Sequence, residues 1–265
     1  MRQPVYFISH GGGPWPWMAE AREAYGPLSA ALSAIPGTLP ARPDAILMVS
    51  AHWMTPGGVR VGSHPHPGMV YDYYGFPAHT YQIRYPAPGD PALAGRVLEL
   101  LGAGGIPAEA EAQRGYDHGA FVPAYVMAPE ADIPMVQLSI EADFDPARHI
   151  ALGRALAPLR GENILIVGSG LSYHNLRRLG PDGAEPSAQF DAWLQSVLID
   201  GPADRREAAL CAWEQAPAAR IAHPQEDHLI PLHLALGAAG GDAATCFHHE
   251  TRAFGGITVS SFRFG

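Results

Sequence analysis

Residues 45–53, AILMVSAHW, decide the fold, because they join a wholly apolar run directly to a histidine and a tryptophan. The run Ala45–Ser50 does not alternate between apolar and polar residues. That pattern is typical of a strand buried on both faces, as in a parallel sheet. His52 then stands where this strand should end.

Two further segments repeat this arrangement of an apolar strand followed by a histidine. Pro4–Ser9 (PVYFIS) predicts a strand that ends at His10, before three glycines and a proline. Asn163–Val167 (NILIV) predicts a core strand that runs into a Gly-Ser-Gly turn and then His174. Apolar strands separated by amphipathic segments indicate an α/β architecture.

The remaining segments complete this prediction of a single α/β domain, residues 1–265, with a central mostly parallel or mixed sheet flanked by helices. The further predicted strands are Tyr81–Tyr85, Ile133–Ile140 and Ile257–Phe264. The predicted helices are Pro91–Leu101, Pro146–Leu159, a helix capped by Ser187 that runs to about Asp200, Asp204–Gln215 and Gln225–Leu236.

Composition excludes several functional classes. The formal net charge is -9, which argues against nucleic acid and anionic membranes as partners. The chain has no lysine, so lysine Schiff-base chemistry is excluded. Cys211 and Cys246 form no CxxC pair, and no apolar run approaches the ~18 residues of a membrane span. We therefore expect a cytoplasmic protein.

The 13 histidines are the most informative feature for function. Ligands of open α/β sheets bind outside the carboxyl ends of the strands, where His10, His52 and His174 are expected. His228 should join them from the first turn of a predicted helix. Three imidazoles, or two with one carboxylate, suit iron or zinc. For each histidine taken alone, a local hydrogen-bonding role is an equally good interpretation.

The neighbours of these histidines leave several roles open. Glu226 and Asp227 are candidates for metal ligands, for groups that orient His228, or for helix caps. Asp117 is a candidate for orienting His118. Histidines outside this set are predicted to be structural or to form local surface hydrogen bonds, namely His64, His66, His79, His149, His223, His248 and His249. The chain has no HExxH, GxSxG, GxGxxG or Walker pattern.

Six motifs in chain order resemble the class III extradiol ring-cleavage dioxygenases, in particular the DOPA 4,5-dioxygenase-type branch. They are FISHGGGPWPW, ILMVSAHW, YDYYGFP, YDHGAFVPAYVMAPEADIPMVQLSI, GSGLSYHNLR and HPQEDHLIPL. The resemblance covers almost the whole chain, and it implies a metal-dependent enzyme that opens the ring of a DOPA-like catechol with O2.

The resemblance also implies roles for individual residues. His10, His52 and His228 match the metal ligands of the family. His174 matches an active-site histidine that acts as acid or base or as a further ligand, and His118 matches a histidine near the substrate. Related protocatechuate dioxygenases use a glutamate as third ligand, whereas the matching region of this chain offers His228, with Glu226 and Asp227 beside it.

Activity of this kind requires Fe²⁺, and Zn²⁺ can occupy the same ligands without supporting oxygen reduction. Tyr71 and Phe76 are expected to wall the substrate pocket. Two alternatives remain open from the sequence, a zinc-dependent hydrolase on an α/β scaffold and a non-catalytic metal-binding protein. The identity of the catechol, the regiochemistry of cleavage and the oligomeric state, a homo-oligomer included, are left open.

Overall fold

A computed structural model describes residues 2–265. Its eight strands are β1 (Val5–Ser9), β2 (Ala45–Thr55), β3 (Val59–Gly62), β4 (Ala108–Glu111), β5 (Met135–Glu141), β6 (Ile164–Gly170), β7 (Ala244–Ala253) and β8 (Ile257–Phe264). Its eight α-helices are α1 (Gly26–Thr38), α2 (Pro91–Ala103), α3 (His118–Met127), α4 (Pro146–Leu156), α5 (Pro181–Gln195), α6 (Ala203–Cys211), α7 (Ala219–Ala222) and α8 (Ile230–Ala239).

All eight strands form one mixed sheet in the order β4-β3-β5-β2-β6-β1-β8-β7. The central strands β5, β2, β6 and β1 are parallel neighbours, whereas β8 and β7 pair antiparallel at one side. The prediction of a single α/β domain with a mostly parallel or mixed sheet is confirmed.

The sheet is covered on both faces, as the full burial of the central strands β1, β5 and β6 requires. Successive residues of β1 alternate between two cores: Val5 and Phe7 pack in one, and Tyr6 and Ile8 pack in the other. Helices α1 and α3 contribute to the second core, and α2, α4, α5 and α8 to the first. Within residues 2–265, no helix is both long enough and apolar enough to cross a membrane.

The prediction of a strand at Tyr81–Tyr85 is wrong. This segment contains the end of a 3-10 turn, Ala78–Gln82, followed by irregular chain. Tyrosine side chains, not a neighbouring strand, bond to carbonyl groups in and just before this segment: Tyr71 Oη donates to Ile83 O, and Tyr73 Oη donates to Thr80 O. Local side-chain bonds have replaced a sheet ladder here.

Two helix starts also differ from prediction. α5 begins at Pro181, so Ser187 lies inside the helix, where its Oγ donates to Ala184 O. α8 begins at Ile230 and not at Gln225, with Pro231 in its first turn, where a missing N–H costs nothing. Asp227 and His228 therefore lie in the turn before α8 and not in the helix.

Candidate metal centre

Three histidines meet at the carboxyl end of the central strands. His10 follows β1, His52 lies near the end of β2, and His228 lies in the turn before α8. The Nε2 atom of His52 lies 3.2 Å from His10 Nε2 and 3.2 Å from His228 Nε2. The three ring centroids are 4.8–5.2 Å apart. Parallel neighbours β1, β6 and β2 bring these distant residues to one edge of the sheet.

The other ring nitrogen of each histidine is held by a different partner. His10 Nδ1 lies 3.1 Å from Ser169 Oγ, and Ser169 Oγ itself donates to Gly119 O, so it accepts from His10. His52 Nδ1 lies 3.3 Å from Asp72 Oδ2. His228 Nδ1 lies 2.6 Å from Asp227 Oδ2. Each Nδ1 therefore carries the proton, and each Nε2 presents a lone pair.

Burial and the neighbouring imidazoles keep these rings uncharged. Desolvation, followed by the charges of the other histidines, holds the pKa of His10 and of His228 well below the ordinary range. Burial likewise lowers the pKa of His52, to about 3. Three neutral imidazoles with converging lone pairs are the donor set that a divalent transition metal takes. The residues present thus fit a metal ion.

His174 stacks on His228, with ring centroids 3.3 Å apart and planes 19° from parallel. The backbone N–H of His174 donates to Ala222 O, which fixes the chain at this point. Within residues 2–265, its ring nitrogens have no hydrogen-bond partner. Burial lowers its pKa to about 4, so the ring is neutral near pH 7 and can accept a proton.

His118 reaches the same site from the start of α3. Asp72 Oδ1 accepts hydrogen bonds from both His118 Nδ1, at 2.8 Å, and the His118 backbone N–H, at 3.0 Å. The carboxylate of Asp72 therefore spans His118 and His52. Hydrogen bonds and charge from these histidines lower the pKa of Asp72 despite its burial.

Asp117 does not orient His118. Its side chain caps α3 by accepting from Ala120 N and also accepts from Ser50 Oγ, Gln137 Nε2 and Arg114 Nη2. Sequence reasoning missed Asp72, whose place in the YDYYGFP motif gave no sign that it would reach two histidines. The sequence suggested Asp117, which precedes His118, as the orienting group, although the side chains of adjacent residues often point apart.

Of the two carboxylates before His228, only Asp227 takes part in the site. Glu226 pairs with Arg220 at 2.6 Å and does not line the cavity. Neither residue caps α8 from its first turn, because the helix begins at Ile230. One ligand atom from each of His174, Asp227 and His228 lies within 4.8 Å of the others, and the same holds for His10, His52 and His118. The His52–His228 contact joins the two groups.

The histidines form the deep end of a cavity of about 740 Å³, a size suited to a small organic ligand. Phe76 lines this cavity and packs against Gly13, whose φ of +56° and missing Cβ allow the close approach. Tyr71 does not line it, because its hydroxyl is bonded to Ile83 O and its ring packs among other aromatic residues. The expectation that Tyr71 walls the pocket therefore needs correction.

Several histidines outside the site are more buried than predicted. His149 is fully buried, accepts from Glu141 N through Nε2 and donates through Nδ1 to Asp145 O. His223 and His233 are also fully buried and bond to backbone carbonyls. His248 is buried within β7, opposite Ser261 of β8. His149 thus has the local hydrogen-bonding role that was expected, but in the interior, and His223 has the structural role that was expected.

Comparison with known proteins adds independent information. Residues 5–265 match the family model described as the catalytic LigB subunit of aromatic ring-opening dioxygenase. A protein of Portulaca grandiflora named 4,5-DOPA dioxygenase extradiol is 39% identical over 98% of this chain and 94% of the relative. One of the same name from Escherichia coli is 36% identical over 100% of this chain and 95% of the relative.

A solved structure also matches. The crystal structure of an uncharacterized protein from Escherichia coli K12 has a TM-score of 0.78 and 32% sequence identity, and the match covers 100% of both chains. This chain is therefore similar to that protein in both fold and sequence.

Proposed function

The chain belongs to the LigB family of aromatic ring-opening dioxygenases and is an extradiol dioxygenase, and we propose that it opens the ring of a catechol with O2 at an iron(II) ion bound by His10, His52 and His228. The observation that supports this ligand set best is that His52 Nε2 lies 3.2 Å from both His10 Nε2 and His228 Nε2 at the end of the cavity. Nitrogens bound to one ion at about 2.0–2.2 Å have this separation.

Iron(II) bound there supplies a Lewis acid for the catechol oxygens and redox activity toward O2, which Zn²⁺ lacks. Enzymes of the family are metal-dependent and take a small molecule and O2 as substrates. The choice of iron over zinc is part of our proposal.

His174 is the group that we assign to proton transfer. Its ring is neutral, half-buried and free of hydrogen bonds within residues 2–265, and it lines the cavity beside His228. A general base needs a free lone pair within hydrogen-bond reach of the proton it accepts. His174 meets this requirement for a hydroxyl of a catechol that occupies the deep end of the cavity.

His118 is suited to orient the substrate. Because its Nδ1 donates to Asp72, its Nε2 carries a lone pair that can accept a hydrogen bond from a substrate hydroxyl. Asp72 does not touch the substrate in this account. It positions His118 and His52 together, so substrate and metal ligand are aligned by one carboxylate.

We also propose that residues 1–265 act as one catalytic domain. The proposed ligands, His174 and His118 come from segments between residues 10 and 228 and face one cavity. All of them face the same cavity, which supports a single catalytic domain.

The experiment that tests the function is oxygen uptake after anaerobic iron(II) loading. With a panel of catechols that includes DOPA, the loaded enzyme should consume about one O2 for each ring opened and form a yellow product. Zinc-loaded enzyme is the control and should be inactive. Equal turnover without oxygen, or with zinc alone, would instead support the zinc-dependent hydrolase, which the comparisons do not favour.

A further inference from the structure

The mouth of the cavity differs in character from its deep end. His10 and His228 are 1% and 3% exposed, whereas Met54, Leu179 and Leu176 are 42%, 41% and 69% exposed. All five residues line the same cavity. The exposed ones therefore mark the end that opens to solvent, away from the histidines.

Apolar side chains dominate this outer part. Beside Met54, Leu176 and Leu179, the wall includes Met18, Ala21, Phe76 and Phe254. Exposed large apolar residues grouped around an opening are uncommon in a soluble enzyme and indicate contact with an apolar ligand. A catechol bound by its two oxygens at the histidines would direct its ring substituent toward this wall.

The outer part of the cavity offers no partner for a charge. Its two charged lining residues, Asp72 and Asp227, are bonded to histidines at the deep end. No arginine lines the cavity among residues 2–265, and the chain has no lysine. Arg177 and Arg178 lie between Leu176 and Leu179 in sequence but are not part of the wall.

Several polar hydrogen donors of the wall are engaged within the protein. Gly12 N–H donates to Tyr25 Oη, and Trp15 Nε1–H donates to His10 O. Tyr173 Oη donates to Arg178 O. A carboxylate placed here would find no cation, and an ammonium group would find no free carboxylate, whereas an uncharged apolar group would pack against the apolar side chains.

From this distribution of charge we infer that the enzyme selects catechols whose ring substituent is uncharged and apolar, over those that carry a carboxylate or an ammonium group. The inference rests on the proposed function and extends it, because it names the substrate class. The inference also predicts that DOPA, the amino acid in the names of the relatives, is disfavoured by this chain. The ring substituent of DOPA carries both a carboxylate and an ammonium group.

Three catechols with substituents of equal length test the inference. 4-Propylcatechol ends in a methyl group, hydrocaffeate in a carboxylate and dopamine in an ammonium group. With the iron-loaded enzyme, kcat/KM for 4-propylcatechol should exceed that for each charged compound by roughly tenfold or more. Equal values, or a preference for either charged compound, would overturn the inference.

A second readout does not depend on turnover. Calorimetric titration of the zinc-loaded protein should give a lower Kd for 4-propylcatechol than for hydrocaffeate and dopamine. If no catechol is opened but this order of Kd holds, the proposed function fails while the assignment of the cavity stands. If catechols are opened and the order of Kd is reversed, the assignment fails while the function stands.

A variant at the mouth tests the cause of the selectivity. Leu176 is largely exposed, so Leu176→Arg should fold normally and place a cation beside the substituent. It should raise kcat/KM for hydrocaffeate relative to 4-propylcatechol by several-fold. Leu176→Gln is the matched control, polar but uncharged, and should leave hydrocaffeate disfavoured. The same gain in both variants would show that charge is not the cause.

Discussion

At the scale of single residues, the histidines that bind the metal differ in role from the one that transfers protons. His174→Ala should keep most of its metal and lose ~10²–10⁴ in single-turnover rate, the usual loss for a general acid or base. His10→Ala and His52→Ala should lose both metal and turnover. Elemental analysis beside single-turnover kinetics measures the two effects.

The result for His174 decides between the two roles that the sequence left open. If His174→Ala purifies without metal at matched loading, His174 is a ligand, and the role in proton transfer should pass to His118. Retention of metal with full turnover would remove His174 from the chemistry altogether.

Asp72 is a positioning residue in this account. Asp72→Asn keeps the shape of the side chain, but it weakens the hydrogen bond with His118 and removes the negative charge that lies 3.3 Å from His52 Nδ1. We expect weaker metal binding, of the ~10–100-fold that such partners typically contribute, together with a lower kcat. Glu226→Gln is the control, because Glu226 pairs with Arg220 and not with a histidine. Equal effects in the two variants would contradict the assigned role.

At the scale of elements, close helix packing supports the part of the fold that carries His228. Gly153 of α4 and Gly237 of α8 face each other's helices, and an added Cβ on Gly153 would collide with Leu234 O. We expect Gly153→Ala to destabilise the protein by about 1–3 kcal/mol, as overpacking does. Gly95→Ala is the control, because nothing lies within 4 Å of its Cβ position on the exposed side of α2.

Chemical denaturation measures both variants. Gly95→Ala should be neutral or more stable by up to ~1 kcal/mol, since alanine favours the helix. A Gly153→Ala variant as stable as the wild type would show that α4 can move away from α8 without cost.

The same scale shows what sequence could and could not predict. Strands that are buried on both faces of the sheet, such as Ala45–Ser50, were predicted because such burial leaves a continuous apolar run in the sequence. β4 (Ala108–Glu111) was missed, because its sequence AEAE has no apolar strand pattern. α3 was missed for the opposite reason: it is buried on nearly all sides, contains Pro123 and so shows no amphipathic period.

The site residues, too, could be predicted only where the local sequence pattern indicated their position. Strand ends indicated His10 and His52, since parallel strands share one edge. Asp72 could not be predicted, because its two bonds depend on a loop of irregular structure between β3 and α2. Tyr71 was wrongly placed in the pocket wall, because sequence alone does not show that its hydroxyl is taken up by Ile83 O.

At the scale of the whole molecule, buried neutral histidines should make stability depend on pH. Burial lowers the pKa of His149 and lowers that of His233 to about 4, whereas an unfolded histidine titrates near 6.5. Between about pH 6.5 and 4, the unfolded chain therefore binds more protons than the folded one. The free energy of unfolding should be highest above pH 6.5 and fall as the pH is lowered through this window.

His149→Gln tests one part of this dependence. The Gln side-chain oxygen can accept from Glu141 N in place of Nε2, but it does not titrate. The metal-free variant should show a shallower fall in unfolding free energy than the metal-free wild type between pH 6.5 and 5. An identical slope would mean that His149 takes up no proton when the protein unfolds in this pH range.

The central claim is that one metal ion lies between three imidazoles drawn to one edge of the sheet. An anomalous difference map at the iron edge, from crystals grown anaerobically with iron(II), tests it most directly. We predict a single peak per chain about 2.0–2.2 Å from Nε2 of His10, His52 and His228. A peak bound through other atoms, or absent from this point while the enzyme is active, would contradict the claim.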